Sequence, residues 1–387
     1  MTKEKWITLI LACGTGFICL FNVHLQRTYF MNERKYPEPQ KPVVELKYDV
    51  LLNSYMRAGS TLTGAILGHR TDSFYLYEPL WKIAVWTYWH GNNMTCRSDR
   101  LECRKAKPVT AVQYNGFVDN QEGLYISSLD IAKTILQRTY DCQFMNYDQI
   151  VVKQSIQGDF GGPSWNTTNE CFNHQRNYHT CFQRHIPRTC KNSTHKVTKV
   201  LRLTTDNLIH LLLSRANLKV IHLFRDPRAI INSRIQTDWY RVKRYKMVKE
   251  NAKSLCNKML YDFREGQKVY KQFPNRFKFI YYEDLSVDIL NKSKILYKYL
   301  GMNANESYYP QIIKVKSFKN KTSDETERTI NNAYWWRGAL NWEIVEQMND
   351  ICRGVYNELG FKSFYSIHEY NDMSIPSQVI PKEFLIV

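Results

Sequence analysis

Two short stretches of this sequence carry residues suited to holding phosphate-like groups. The first runs Tyr55-Met56-Arg57-Ala58-Gly59-Ser60-Thr61-Leu62, directly after the apolar segment YDVLLNS. Gly59 permits a tight turn, and Ser60 and Thr61 suit a helix N-terminus. Free N–H groups and the positive dipole end of such a helix favour an anion. Arg57 adds a fixed cation and further donors. No Lys-Ser/Thr pair follows Gly59 and Gly64, so this is not a Walker A loop, which argues against an ordinary nucleotide kinase. The second stretch is Lys219-Val-Ile-His-Leu-Phe-Arg225-Asp-Pro-Arg, continuing through Ser233 and Arg234. Pro227 is placed to open a helix, with Ser233 two turns on, so Arg225 and Ser233 are positioned to clasp a second phosphate. The competing reading is a helix-capping Asp-Pro with a surface Arg.

Both stretches need strands behind them. Apolar runs at Tyr48–Asn53, Phe74–Tyr77, Gln149–Lys153, Lys219–Phe224 and Phe277–Tyr281 read as strands. Helical patterns fall at Ser60–Leu67, Leu124–Arg138, Asp206–Arg215, Lys249–Lys271, Leu285–Leu300 and Trp342–Leu359. Their alternation predicts an α/β fold with a mostly parallel central sheet flanked by helices. In such sheets ligands sit beyond the C-terminal strand ends, where both loops would lie. The 387 residues are roughly two to three domains' worth of chain, though α/β folds of this length also form one domain. With 43% hydrophobic and 14% aromatic residues the chain is not disordered. Its 54 Lys+Arg against 36 Asp+Glu give +18, a surface for nucleic acid, acidic membranes or acidic glycans.

Compartment narrows that choice. Residues 6–23 form an uncharged stretch long enough to span a bilayer as a helix. They are read as a signal-anchor helix after a cytoplasmic tail (1–5), with a cleavable signal peptide as the rival. Residues 24–47, with Pro37, Pro39 and Pro42, read as a stem, and 48–387 as a lumenal domain. Six Asn-x-Ser/Thr sequons lie at Asn93, Asn166, Asn192, Asn291, Asn305 and Asn320. Cys96, Cys103, Cys142, Cys171, Cys181, Cys190, Cys256 and Cys352 are an even set for an oxidising compartment, with 105 pairings open. Zinc is the rival for Cys171–Cys190, but no Cys-x-x-Cys knuckle is present. Anchor and sequons together argue against a nucleic-acid partner. Residues 158–199 read as a disulfide-tied, basic insertion: either a solvated loop or a surface for an acidic polymer.

YMRAGSTLT, the following FYLYEPLW (Phe74 to Trp81) and LFRDPRAIINSR resemble the Golgi carbohydrate sulfotransferases, specifically the galactose/N-acetylgalactosamine/N-acetylglucosamine 6-O-sulfotransferase branch. Further matches are Lys199-Val-Leu-Arg202-Leu, Tyr282-Glu-Asp-Leu285, and Trp336-Arg337 with Leu340, Ile351-Cys352 and Leu359-Gly360-Phe361. The resemblance covers most of the chain from Tyr48 to Phe361 and implies a P-loop-like sulfotransferase fold. It implies a Golgi, single-pass type II membrane glycoprotein, and the donor 3'-phosphoadenosine 5'-phosphosulfate (PAPS) with no metal. Arg57, Ala58, Gly59, Ser60, Thr61 and Leu62 would cradle the 5'-phosphosulfate; Arg225 and Ser233 would hold the 3'-phosphate, with Arg337 as a further contact. Cytosolic relatives carry Lys at the position of Arg57. An Arg stays protonated, so it stabilises the leaving phosphate but is a poor proton donor. Cys256 and Cys352 match family positions, and their pairing stays open.

Sulfuryl transfer to a sugar hydroxyl needs a base on the acceptor oxygen, and Glu78 is the best placed. Its aromatic flanks, Tyr75, Tyr77 and Trp81, would lower the dielectric and raise its pKa. The rival role for Glu78 is a structural salt bridge; His69 is the other candidate base, at a helix end expected to face solvent. Trp81, Trp86, Tyr88 and Trp89 are either sugar-stacking residues or core. The expected acceptor is a glycan or glycosaminoglycan, at the 6-hydroxyl; a homodimer is left open. Two alternatives stand beside this: a sulfotransferase for another hydroxyl, and an inactive, membrane-anchored heparin-binding glycoprotein.

Overall fold

The computed structural model describes residues 8–13, 17–22, 47–81, 84, 87–91, 94–106, 108–110, 125–144, 162–237, 245–304 and 333–384. Two units are distinct, Met1–Glu45 and Leu46–Val387. In the first, β1 (Thr8–Cys13) and β2 (Phe17–Asn22) pair antiparallel, with Thr8 opposite Asn22 and Cys13 opposite Phe17. The expected transmembrane helix over 6–23 is not supported: the described residues of that stretch, 8–13 and 17–22, are extended. Gly14 and Gly16 lie between the two runs, and each glycine costs a helix about 1 kcal/mol relative to alanine. The β-branched and aromatic residues on either side favour extended backbone. Among the described residues no helix is long and apolar enough to cross a membrane.

The second unit is built on a five-stranded sheet. Its strands are β3 (Asp49–Asn53), β4 (Ser73–Tyr77), β10 (His195–Val200), β11 (Leu218–Phe224) and β12 (Phe277–Tyr281), in the order β12-β11-β3-β10-β4. Every pairing is parallel. Between β4 and β10 lie an antiparallel trio, β5 (Thr87–His90), β6 (Met94–Arg97) and β7 (Cys103–Lys105), and a pair, β8 (Pro108–Thr110) and β9 (Tyr125–Ser127). The sheet is buried on both faces. Leu51, Phe74, Val220 and Phe279 join one core, while Val50, Leu52, Val197, Ile221 and Ile280 join the other. That period-two split is what a parallel sheet covered on both sides requires.

Helices cover those faces: α1 (Ser60–Gly68), α2 (Ser128–Tyr140), α3 (Asn166–Gln175), α4 (Tyr178–Asn192), α5 (Ile209–Ser214), α6 (Pro227–Thr237) and the long α7 (Tyr245–Gln272). After β12 follow α8 (Tyr282–Val287), α9 (Ile289–Leu300), α10 (Trp336–Ala339), α11 (Trp342–Ile351), α12 (Arg353–Leu359) and α13 (Ile367–Asn371). The expected strand at 149–153 lies outside the described residues.

The expected insertion at 158–199 overlaps the central sheet at its C-terminal end. Its last residues are β10, one of the two strands flanking β3. HKVTKV carries two lysines, which disguised a buried strand as polar linker. The described segment before it is helical and packs on β4. Trp165 is buried, stacks on Phe74 and donates its indole N–H to the Tyr75 carbonyl at 2.7 Å, and Tyr75 N–H reaches Ser164 Oγ at 3.3 Å. The exposed edge of β4 is thereby capped rather than left open to pairing. Disulfides Cys171–Cys181 and Cys142–Cys190 tie α3 to α4 and α4 to the end of α2. Cys96–Cys103 and Cys256–Cys352 complete the set, so these sulfurs are bridges rather than zinc ligands.

Candidate active site

The chain order of the sheet creates the site. The first strand, β3, is the middle one, flanked by β10 and β11, so the loop after it opens where the strand order reverses. Ser54 anchors that loop by donating its hydroxyl to the Leu223 carbonyl at 3.1 Å. Arg57 and Gly59 then both take positive φ, 75° and 88°. A Cβ on Gly59 would come within 2.1 Å of the Tyr282 ring, so close approach as well as backbone sign demands glycine here. Helix α1 starts at Ser60; its first intrahelical bond is Thr63 N–H to Gly59 O at 3.1 Å, and the N–H groups ahead of it point to the loop mouth.

Both candidate phosphate motifs meet here. Arg57 Nε donates to Ser233 Oγ at 3.0 Å, and Arg225 Nη1 donates to the Arg57 carbonyl at 3.1 Å. The Arg225 guanidinium lies 4.5 Å over the Tyr282 ring, the same ring that closes on Gly59. Arg337 has other partners. Its guanidinium donates to the carbonyls of Glu369, Tyr370, Asp372 and Ile375, satisfying the end of α13 and the turn beyond. Those bonds fix Arg337 as a support for the turn after α13.

Glu78 follows β4 at φ 44° and is almost fully buried. Lys199 Nζ donates to its Oε1 at 2.9 Å, and Arg202 Nη2 lies 3.7 Å from Oε2. Burial pushes the Glu78 carboxyl up, but Lys199 and Arg202 together outweigh it and hold the group below the ordinary glutamate value. The raised pKa expected from its aromatic flanks is therefore corrected. Lys199 also donates to Thr61 Oγ1 at 3.3 Å and sits 3.8 Å over the Tyr77 ring. One ammonium thus links the carboxylate to the first turn of α1. His69 is buried beneath Gly162 and edge-on to Tyr75, not solvent-facing. Trp89 is core and Tyr88 is buried; Trp86 lies outside the described residues.

In the sequence, Lys199 and Arg202 stand within a matching motif that assigns them no role. The available signal was two cations three apart around the apolar pair Val200-Leu201, because buried cations are rare unless paired. The donor set at the loop (two guanidiniums, hydroxyls and helix N–H groups) suits a phosphorylated ligand.

Residues 47–357 match the family described as Sulfotransferase domain. The chain belongs to this sulfotransferase family. It is a sulfotransferase enzyme by that membership and by its curated relatives. Carbohydrate sulfotransferase 1 of Danio rerio is 25% identical over 88% of this chain and 83% of its own length. Carbohydrate sulfotransferase 5 of Homo sapiens is 21% identical over 98% and 91%. Among solved structures, the sulfotransferase domain from the curacin biosynthetic pathway aligns over 80% of this chain and 98% of that one, at 15% identity and a TM-score of 0.40. That last likeness is too loose to carry detail.

Proposed function

We propose that this sulfotransferase transfers a sulfuryl group from PAPS to a sugar hydroxyl of a glycan or glycosaminoglycan, the 6-hydroxyl of N-acetylglucosamine, galactose or N-acetylgalactosamine. The carrying observation is the convergence of Arg57, Ser233 and Arg225 on one loop that Lys199 joins to Glu78. The donor supplies an activated sulfuryl group on a 5'-phosphate. Arg57 and the first turn of α1 hold that end, while Arg225 and Ser233 hold the 3'-phosphate. Glu78, ionised at neutral pH, takes the proton of the acceptor hydroxyl as its oxygen bonds to sulfur. As the bond from sulfur to the 5'-phosphate breaks, Arg57 and the helix N-terminus stabilise the charge left on phosphate oxygen. Lys199, shared between Thr61 and Glu78, is placed to follow charge from one end of the displacement to the other.

A lumenal Golgi location is supported by the four disulfides and by sequons at Asn166, Asn192 and Asn291, all exposed. The names of the relatives support a carbohydrate acceptor. The test follows radiolabelled sulfate from PAPS into desulfated keratan, chondroitin, heparan and N-acetylglucosamine acceptors. Label in one acceptor, lost in Glu78→Gln and Arg57→Ala, is the expected result. No label with no PAPS binding would instead favour an inactive glycan-binding glycoprotein.

A further inference from the structure

Beside the Glu78 ion pair lies a cleft whose walls include Tyr55, Tyr88, Ser98, Arg202, Arg234 and Lys258. Three of these side chains are cations, and none is more than 5% exposed. Arg234 is held by the Met56 carbonyl and by Asn251 Oδ1 at 2.6 Å; Lys258 donates to the Leu201 carbonyl at 3.4 Å. Arg202 is different. Its Nε and Nη2 make no hydrogen bond with any described group, and its nearest carboxylate, Glu78 at 3.7 Å, is beyond hydrogen-bonding distance. Carboxylates are outnumbered among the described residues here. Glu78 is already shared with Lys199, and Asp262 lies 3.9 Å from Lys258.

A buried guanidinium with two idle N–H groups is unfavourable unless an acceptor arrives. The same crowding acts on Lys258, whose ammonium is pushed down to about 8 by burial and by Arg202 and Arg234, against the pull of Asp262. Arg202 Nε and Nη2 form one edge of a planar fork, the geometry that receives two oxygens of a sulfate or carboxylate side by side. Arg57, Arg225 and Ser233 are a separate set, so the donor's phosphates leave this cleft unfilled. Tyr55 opens the donor loop and Arg202 touches Glu78, so an anion here would sit next to the reacting acceptor.

We infer that this cleft binds an anionic group, a sulfate ester or carboxylate on the acceptor chain, and that the enzyme therefore selects acidic over neutral acceptors. The inference rests on the sulfuryl-transfer reading above and adds the acceptor's charge to it. Tyr88 supplies an aromatic wall, and the net +18 of the chain draws acidic polymers toward it.

The test is equilibrium binding by the full chain, with and without 3'-phosphoadenosine 5'-phosphate. The probes are a neutral N-acetyllactosamine-type disaccharide and the same sugar bearing one sulfate ester or one uronic carboxylate. The charged sugar is expected to bind at least tenfold tighter. Lys258→Gln should erase most of that preference and Lys258→Arg should keep it. Because Lys258→Gln could unfold by stranding Asp262, Ser98→Glu serves as a second variant; its tethered carboxylate should fill the cleft and exclude the charged sugar. Equal affinity for charged and neutral sugars, or a preference untouched by both variants, overturns the inference. Inorganic sulfate that binds tightly without competing with the charged sugar overturns it too, assigning the cleft to a free ion. A retained charge preference with neither donor binding nor transfer would sink the proposed reaction and leave the anion cleft standing.

Discussion

Lys199, near the C-terminal end of β10, meets Glu78, the residue after the neighbouring parallel strand β4, at 2.9 Å, with side-chain exposures of 1% and 9%. Removing one partner of a buried pair strands the other, which typically costs about 3–5 kcal/mol. Lys199→Met should therefore lower stability by that order in urea unfolding. Lys199→Met combined with Glu78→Leu should recover a substantial part, although Arg202 then loses its carboxylate. Additive losses would show that the two groups do not depend on each other.

Gly59→Ala should be damaging out of proportion to one methyl group. The site has φ 88°, and the added carbon would lie 2.1 Å from the Tyr282 ring. Strained backbone of this kind costs on the order of 1–3 kcal/mol before the clash is counted. Thermal unfolding and 3'-phosphoadenosine 5'-phosphate affinity, which should weaken at least tenfold, are the two readouts. A variant that binds normally would show that α1 can shift away from Tyr282.

Glu283 gives the protein a pH dependence with a definite sign. It is buried at the start of α8 and accepts from Asp226 N–H at 2.8 Å. Burial, reinforced by the neighbouring Asp226 carboxylate, pushes its carboxyl up to about 7 from 4.5. The folded state thus holds a proton that the unfolded chain gives up near 4.5, and stability falls as pH rises between those values. The loss is on the order of 3 kcal/mol. Glu283→Gln should flatten this window and raise stability above pH 7. An unchanged slope in denaturant titrations across pH 5–7 would assign the dependence elsewhere.

The Cys256–Cys352 bridge joins mid-α7 to the junction of α11 and α12, 96 residues apart. Replacing both cysteines by alanine should lower stability by roughly 3–5 kcal/mol, because so long a loop is freed in the unfolded chain. Calorimetry of the double variant checks this, with peptide mapping of the parent confirming the bridge.

Much of the site was readable because its chemistry is local. Gly59, Ser60 and the preceding apolar strand are consecutive, and Arg225 leaves its own strand in the same way. What could not be read was three-dimensional competition. Tyr75, Tyr77 and Trp81 suggested a raised Glu78, but Lys199 and Arg202 arrive from a strand far along the chain and reverse the sign. β10 was missed because its lysines, among them the Lys199 that meets Glu78, make it look solvated. Arg337 matched a motif, yet the carbonyls that consume it come from residues 369–375, which no spacing rule addressed. At the N-terminus hydropathy alone suggested a helix, while the described residues there pair as two strands.

Placing the earliest sheet strand in the middle of the sheet has a consequence for the newborn chain. β3 leaves the ribosome well before either of its neighbours, and its pairing with β11 spans roughly 170 residues. At about 5–20 residues per second, the wait is on the order of ten to thirty seconds. Until β10 appears shortly before β11, the apolar segment Val50–Leu52 has no sheet partner, and for the whole wait the loop after β3 has no Ser233 or Arg225 to brace it. The loop after β3 is among the first parts of the body to be synthesised and among the last to be assembled, so a nascent chain halted before Leu218 should be a client for chaperones rather than a half-active enzyme.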